Sequence, residues 1–227
     1  MKKIILILSF ILVTIGAIAQ EKTYVAKCKT NDGHFDVSVS RQQGVIRLYL
    51  STIAAKEHYP AATELEMQEF LIVGEKNILA FISSLSQVRN KYIKWTEVAH
   101  KNDVHSLTKG IDISFPEVSL QWTSMNVRRY QNSSTPNPTY RDSHVKLQAV
   151  YVLNDNEWIE TFFKYKKNVP YITFSGIASS NSNQYITTKY AFCFSSVSEI
   201  DAFISSIQID SLKEKLNKVQ ARDDLFK

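Results

Sequence analysis

The first part of the chain alternates apolar and polar residues. Between positions 34 and 40, Phe35, Val37 and Val39 occupy every second position, and polar residues fill the positions between them. An alternation of period two is typical of an antiparallel strand with one buried and one hydrated face. We therefore expect four strands in this part of the chain, over residues 24–29, 34–40, 45–50 and 64–73.

The period then changes to that of a helix. Apolar residues recur at steps of three and four, at Ile78, Phe81, Ile82, Leu85, Val88, Tyr92 and Trp95. This spacing predicts one apolar stripe on a helix of about five turns, and we expect the helix to end before Asn102. The simplest interpretation is that the stripe packs on the sheet, rather than on a cofactor or a partner helix.

The last part of the chain repeats this plan. We predict four more strands, over residues 145–153, 158–165, 171–177 and 186–195. Ser198 is the expected N-cap of a following helix, because a serine side chain can accept a hydrogen bond from the first turn. The apolar stripe of this second helix consists of Ile200, Phe203, Ile204 and Ile207.

The two predicted helices share a hexapeptide. Residues 80–85 and 202–207 agree at five of six positions, and sparser matches upstream keep the same order, at offsets of 122 and 124 residues. These matches favour an internal duplication over a coincidence of two similar amphipathic segments. The predicted fold class is α+β, with two antiparallel four-stranded sheet plus helix units (ββββα) in tandem and an extra β-hairpin-like connector.

The predicted organisation has four parts: a signal peptide (1–19), a first ββββα unit (20–101), a connector (102–144) and a second ββββα unit (145–227). The connector would contain two short strands, over 110–115 and 118–124, separated by Pro116, which suits a sheet edge or a bulge. In outline this architecture is similar to tandem-repeat secreted inhibitors of the β-lactamase-inhibitor type, which also pair a helical segment with a four-stranded sheet. The likeness is one of architecture, and no motif supports a named family.

Residues 126–144 form the longest stretch without a clear period. Loops of this length in a compact domain are usually functional or disordered. Arginine and aromatic side chains can make bidentate and stacking contacts with an acidic or carbohydrate-like ligand. The candidate ligand-binding residues are Arg128, Arg129, Tyr130, Tyr140, Arg141 and His144. The alternative is a basic surface loop that binds nothing.

The N-terminus has the features of an export signal. Two lysines precede an uncharged, mostly apolar run over residues 4–18, and Ala17 and Ala19 occupy the positions that a signal peptidase reads. Cleavage after Ala19 would leave 227 − 19 = 208 residues with a net charge of +5 − 2 = +3. The alternative is a membrane anchor, but a spanning helix needs about 20 apolar residues. We expect a soluble periplasmic or secreted protein without a transmembrane segment in the mature chain.

The only two cysteines are Cys28 and Cys193. Disulfides persist in exported proteins, and in the chain-entropy model a bridge closing so long a loop would contribute about 5 kcal/mol. The alternative is two separate buried thiols that act as small hydrophobic side chains, because both residues lie in apolar, strand-like runs. The sequence contains no CxxC pair and no Cys/His cluster, so no metal site is predicted.

Catalytic motifs are missing from the sequence. It contains no HExxH, GxSxG, Walker-type or GxGxxG pattern, and we predict no cofactor. His100 and His105 are five residues apart, which is the wrong spacing for two ligands on one helical face, so we interpret them as part of a solvated helix end. The catalytic residues, if there are any, stay unassigned.

Composition narrows the functional classes. With 44% hydrophobic and 22% charged residues the chain is neither disordered nor fibrous, and a mature charge of +3 does not indicate a nucleic-acid partner. The first hypothesis is an exported bacterial protein, a non-catalytic module that binds a macromolecule or a small ligand. One alternative is a secreted or periplasmic hydrolase with His34 or His144 as its base. Another is a structural subunit of an envelope assembly, which would need a flat apolar surface patch.

Overall fold

The computed structural model describes residues 22–30, 33–56, 64–126, 139–153, 159–160, 163–164, 171–178 and 187–225. Its eleven strands are β1 (Thr23–Thr30), β2 (Gly33–Gln42), β3 (Val45–Lys56), β4 (Glu64–Val73), β5 (Leu107–Ile111), β6 (Val118–Asn126), β7 (Thr139–Leu153), β8 (Ile159–Glu160), β9 (Phe163–Lys164), β10 (Tyr171–Ala178) and β11 (Thr187–Phe194). The three helices in this part of the chain are α1 (Glu75–Lys101), α2 (Val197–Ser206) and α3 (Ile209–Asp224).

One large antiparallel sheet organises the fold. Its strands lie in the order β1-β2-β3-β4-β6-β7-β10-β11, and β5 pairs with β7 beyond the end of β6. The strands β5 and β6 thus form one interrupted strand, and residues 112–117 between them, Pro116 included, have no regular structure. Helices accompany this antiparallel sheet, so the predicted α+β class is confirmed.

The arrangement of the sheet differs from the predicted tandem of two four-stranded sheets. Residues 64–71 of β4 pair with 119–126 of β6, which joins the strands of both halves into one sheet. This pairing satisfies the backbone groups that two separate sheets would leave exposed at their edges. Residues 145–227 contribute three strands to the large sheet rather than four, because the predicted strand over 158–165 is a separate pair, β8 and β9.

Strong curvature brings distant strands of the sheet together. Six inter-strand steps separate β2 from β11, which would amount to about 29 Å in a flat sheet. The rings of Phe35 in β2 and Phe194 in β11 nevertheless lie 6.1 Å apart. The sheet therefore wraps around the helices, whose apolar stripes fill its concave face.

Helix α1 forms where the sequence predicts it, and it ends at Lys101, before Asn102. Gly74 joins β4 to this helix with a φ of 87°, a left-handed conformation that glycine adopts at little cost. The buried residues of the apolar stripe are Ile78, Phe81, Leu85, Val88 and Tyr92. These side chains face the sheet, as the stripe predicts.

Helix α2 begins two residues earlier than expected. Its N-cap is Ser196, whose Oγ accepts a hydrogen bond from the backbone N–H of Glu199 at 3.3 Å. The predicted N-cap, Ser198, lies inside the first turn, with its hydroxyl 3.0 Å from that of Ser196. The Glu199 carboxylate in turn accepts the backbone N–H of Ser195 at 2.7 Å. This reciprocal pattern resembles a capping box, and Ser196 rather than Ser198 is the serine placed to close it.

Both halves of the chain contribute to one hydrophobic core. Phe203 of α2 lies 6.2 Å from Phe81 of α1, 5.0 Å from Phe35 and 5.6 Å from Phe194, measured between ring centroids. All four phenylalanines are buried. Removal of so large an aromatic area from water is the main stabilisation that such a cluster offers.

Among the residues that the structure describes, no helix combines the length and the apolar character needed to cross a bilayer.

Candidate functional site

The predicted ligand-binding residues do not come together as one observed surface. Arg128, Arg129 and Tyr130 lie outside the described residues. Tyr140 and Arg141 belong to β7, where their backbones pair with Thr123 and Trp122, and their side chains lie outside the described part. The segment predicted as a loop to residue 144 therefore becomes a strand from Thr139 onward.

His144 lies on the surface of β7. Its side chain is 68% exposed, and its Nδ1 is 3.7 Å from Oε1 of Glu117, which is 64% exposed. That separation is longer than a hydrogen bond, and water screens the charges of a pair so exposed. His34 is in β2, opposite Lys29, and its side chain lies outside the described part. The exposed position of His144 thus gives no support to its predicted role as the base of a hydrolase, which requires a pocket.

A cavity of about 330 Å³ lies between the C-terminal end of α1 and the end of β7. We call it the α1 cavity. Its lining residues are Thr96, Ala99, His100, Asp103, Val104, His105, Tyr151 and Leu153. Half of these are polar, and the rest offer apolar or aromatic surface.

A chain reversal after α1 builds one wall of the α1 cavity. The backbone N–H and the side-chain Nδ2 of Asn102 both donate to the carbonyl of Val98, at 3.1 and 2.7 Å. Asp103 then adopts a φ of 55°, a left-handed conformation that Asp and Asn tolerate better than most residues. The backbone N–H of Val104 donates to the carbonyl of Ala99 at 2.9 Å. The chain therefore turns back over the last turn of the helix.

This reversal explains how His100 and His105 line the same cavity. On a continuous helix, a spacing of five residues would turn the two side chains to different faces. The turn at Asn102 and Asp103 breaks that relationship and places both imidazoles around one space. The sequence signal was present, because a polar Asn-Asp pair after an apolar stripe favours a turn. Its effect on two flanking histidines was not evident from spacing alone.

Tyr151 of β7 forms the aromatic floor of the α1 cavity. Its hydroxyl lies 3.4 Å from Oγ1 of Thr96, and its ring meets Trp95 edge to face at 5.7 Å. The ring of Tyr92, one turn earlier in α1, lies 6.0 Å away. Burial raises the pKa of Tyr151, so the hydroxyl stays neutral at physiological pH and can donate a hydrogen bond.

The rim of the α1 cavity is polar. Nε2 of His105 lies 3.1 Å from Oδ1 of Asp103, and the two side chains are 57% and 90% exposed. Apart from the two histidines, Asp103 is the one lining residue with an ionisable acidic or basic side chain of the Asp, Glu, Lys or Arg type. The nearby ammonium of Lys109 lies over the ring of Trp95, 4.9 Å from its centroid. Within the described parts of the chain, no three His, Cys, Asp or Glu side chains form a metal-binding group.

The two cysteines are buried, and the structure does not bridge them. Cys28 pairs with Phe35 and joins the core, where its Sγ lies 3.9 Å from Oγ of Ser206. Phe194 also joins the core, so its neighbour Cys193 faces the other side of the sheet. Because the two thiols lie on opposite faces, the geometry favours the alternative of two separate buried side chains. Burial also raises the pKa of Cys28.

Comparison with models of protein families, with curated proteins and with solved structures gives no match to this chain.

Proposed function

We propose that this chain is an exported, non-catalytic binding protein whose small ligand occupies the α1 cavity. The observation that carries the proposal is the cavity itself, with a volume of about 330 Å³. Ligand sites in proteins commonly enclose about 300–1,000 Å³ and combine apolar walls with a few polar groups. The α1 cavity has both properties.

The walls suit a compact amphipathic molecule. Ala99, Val104 and Leu153 offer apolar contact, and the buried Tyr151 lies beneath them. The polar groups at the rim would orient the ligand, since a few hydrogen bonds fix the orientation of a mostly apolar molecule in its site. The site stands on the end of a long helix and on a central strand, so it is held by rigid elements.

A cavity-filling substitution tests this proposal. Leucine at position 99 (Ala99→Leu) would extend a side chain into the α1 cavity and keep a residue that favours helix. The probe is 2-phenylethanol, a neutral molecule with an aromatic ring and one hydroxyl. We expect the probe at millimolar concentration to raise the Tm of the wild-type protein, because binding to the folded state stabilises it. The shift should be lost in Ala99→Leu.

The matched control is Val98→Leu, an enlargement at the next position of the same helix, where the side chain is exposed. This control should keep the wild-type shift. Val104→Leu, which narrows the cavity from its other wall, serves as a second filling variant. Equal shifts in the filled and control variants, or no shift in the wild type, would contradict the proposal.

The export part of the proposal rests on the N-terminal sequence. Two lysines, an apolar run and Ala17-Ile18-Ala19 are the features that a signal peptidase recognises. Intact-mass measurement of the protein recovered outside the cytoplasm should fit a chain that begins at Gln20. A mass that includes Met1 would contradict the export proposal and would leave the binding proposal standing.

A hydrolase is the second candidate function, with His105 as its base in place of His34 or His144. His105 lies beside the Asp103 carboxylate on a cavity that also holds the Thr96 and Tyr151 hydroxyls, and a histidine beside a carboxylate can act as a general base. Hydrolysis of p-nitrophenyl acetate at a rate lost in His105→Gln, and kept in His144→Gln, would favour this candidate. Equal rates in the two variants would remove it.

We propose further that the chain arose by internal duplication. In both hexapeptides, 80–85 and 202–207, the second and sixth residues are buried, the first and fourth are exposed and the third is half-buried. Each hexapeptide lies in a helix that follows a strand of the large sheet, β4 or β11.

A repeat that maps β1–β4 and α1 onto β6, β7, β10, β11 and α2 fits the strand order. Under this mapping β8 and β9 are an insertion, and the second unit begins at Val118 rather than at residue 145. Superposition of the two units in a crystal structure tests the mapping, which fails if the helices do not coincide.

A further inference from the structure

We infer that the ligand of the α1 cavity carries an ammonium group next to a compact apolar or aromatic body. This inference rests on the proposed function, because it names the chemical class of ligand for the same site. It follows from the sign of the charge around the α1 cavity and from the kind of hydrogen-bonding atoms at its rim.

The fixed charge at the rim is negative. The Asp103 carboxylate is the one acidic or basic side chain, histidines aside, that lines the cavity. The cavity also lies at the C-terminal end of α1, where the aligned peptide dipoles of a 27-residue helix give a negative partial charge. Both features favour a cation over an anion or a neutral group of the same size.

The neighbouring lysines do not cancel this charge within the cavity. Lys109 is turned toward Trp95, with its ammonium 4.9 Å from the ring centroid. Lys101 is exposed in the last turn of α1. Neither residue lines the cavity, and both are exposed, so water and salt screen their charges.

The rim is also rich in hydrogen-bond acceptors. A carboxylate accepts only, and each neutral imidazole offers one acceptor nitrogen. Asp103, His100 and His105 therefore suit a group with several N–H donors, such as a primary ammonium. An apolar body attached to that group would lie against Val104 and Leu153, above the buried Tyr151.

Three phenyl-bearing probes of similar size separate the classes: 2-phenylethylamine (cationic), 2-phenylethanol (neutral) and phenylacetate (anionic). We expect the amine to bind the wild-type protein up to about fivefold more tightly than the alcohol, as for a solvent-exposed ion pair. Phenylacetate should bind more weakly than the alcohol. The advantage of the amine should shrink when salt is raised from about 0.01 M to about 1 M, because screening acts on the charge alone.

Asp103→Asn is the variant that isolates the charge. Asparagine has nearly the same shape and tolerates the left-handed backbone at this position, so the fold is preserved. The variant should bind the amine and the alcohol with similar affinity. The control is Asp112→Asn, at an exposed aspartate in the segment between β5 and β6, which should keep the wild-type preference for the amine.

The outcomes distinguish this inference from the proposed function. If the alcohol and the acid bind as tightly as the amine, or if Asp103→Asn keeps the preference, the ammonium assignment is overturned and the cavity still binds ligands. If none of the three probes binds the wild-type protein, both the assignment and the proposed function are overturned. A preference for the amine that is lost in Asp103→Asn and kept in Asp112→Asn supports the inference.

Discussion

The guanidinium of Arg89 donates two hydrogen bonds to the carboxylate of Asp201, from Nε at 2.5 Å and from Nη2 at 2.9 Å. Arg89 belongs to α1 and Asp201 to α2, so this bidentate pair fastens the helix of the first half to the helix of the second. Parallel N–H to oxygen bonds fix orientation as well as distance. The contact between Phe81 and Phe203 joins the same two helices.

The stability of the fold should depend on the ionisation of Asp201. The hydrogen bonds from Arg89 lower the pKa of this carboxyl below its ordinary value of 3.8. A lowered folded-state pKa gives stabilisation that is present above the unfolded value and is lost as pH falls through the folded value. We expect the wild-type Tm to exceed that of Asp201→Asn slightly at pH 7, and the difference to vanish in strong acid. The effect is small because water screens a half-exposed pair.

Thermal unfolding of both proteins between neutral pH and pH 2 measures this dependence. Asp112→Asn, at an exposed loop position, provides the control and should match the wild type at every pH. A difference between wild type and Asp201→Asn that stays constant down to the lowest pH would show that the carboxylate charge contributes nothing.

Ser84 fixes the segment between β5 and β6 to helix α1. Its buried hydroxyl donates to the backbone carbonyl of Ser114, at 2.8 Å. Ser84→Ala would leave that carbonyl without its donor, so we expect a loss of about 1–2 kcal/mol in the free energy of unfolding. Urea denaturation measures the loss. Ser83→Ala, on the exposed side of the same helix turn, should change stability by less than about 0.5 kcal/mol. Equal effects of the two substitutions would argue against this role of Ser84.

The shared core predicts one cooperative unfolding transition. Phe203 contacts Phe35 and Phe81 from the first half of the chain and Phe194 from its own half, and Phe203→Ala should cost about 3–5 kcal/mol. We expect circular dichroism and tryptophan fluorescence to report the same shifted midpoint in urea. Two halves that folded independently would instead give a curve with two steps, only one of them shifted by the substitution.

The two cysteines should remain thiols in the native protein. They lie on opposite faces of the sheet, and burial raises the pKa of Cys28, which keeps that thiol protonated and unreactive. Iodoacetamide should modify neither residue in the native protein and both in urea. Mass spectrometry under non-reducing conditions reports this directly. A native mass lower by two hydrogens, without alkylation in urea, would establish a disulfide instead.

Local patterns determined much of the fold. Alternation at Phe35, Val37 and Val39 and the stripe of α1 correspond to the strands and helix observed, because burial on one face follows from periodicity alone. The joining of both halves into one sheet was not predictable from these patterns. It depends on pairing between β4 and β6, and the alternation within each strand does not specify which other strand it pairs with.

The candidate site was less accessible from the sequence. The five-residue spacing of His100 and His105 would place them on different faces of a continuous helix. The chain reversal through Asn102 and Asp103 ends the helix between them, so both residues line the same cavity. Tyr151 beneath the α1 cavity lies about fifty residues further along the chain, in a strand of the large sheet that packs on the helix. Contacts of that range depend on the tertiary fold rather than on any local motif.

The central claim is that the α1 cavity binds a small amphipathic molecule. It is tested most directly by titrating the wild-type protein with 2-phenylethanol while recording the imidazole resonances of its histidines by ¹H–¹³C NMR. We predict that the resonances of His100 and His105 move together along one saturating curve, while that of the exposed His144 stays in place. Movement of His144 equal to theirs, or no movement of His100 and His105 at saturating probe, would contradict the claim.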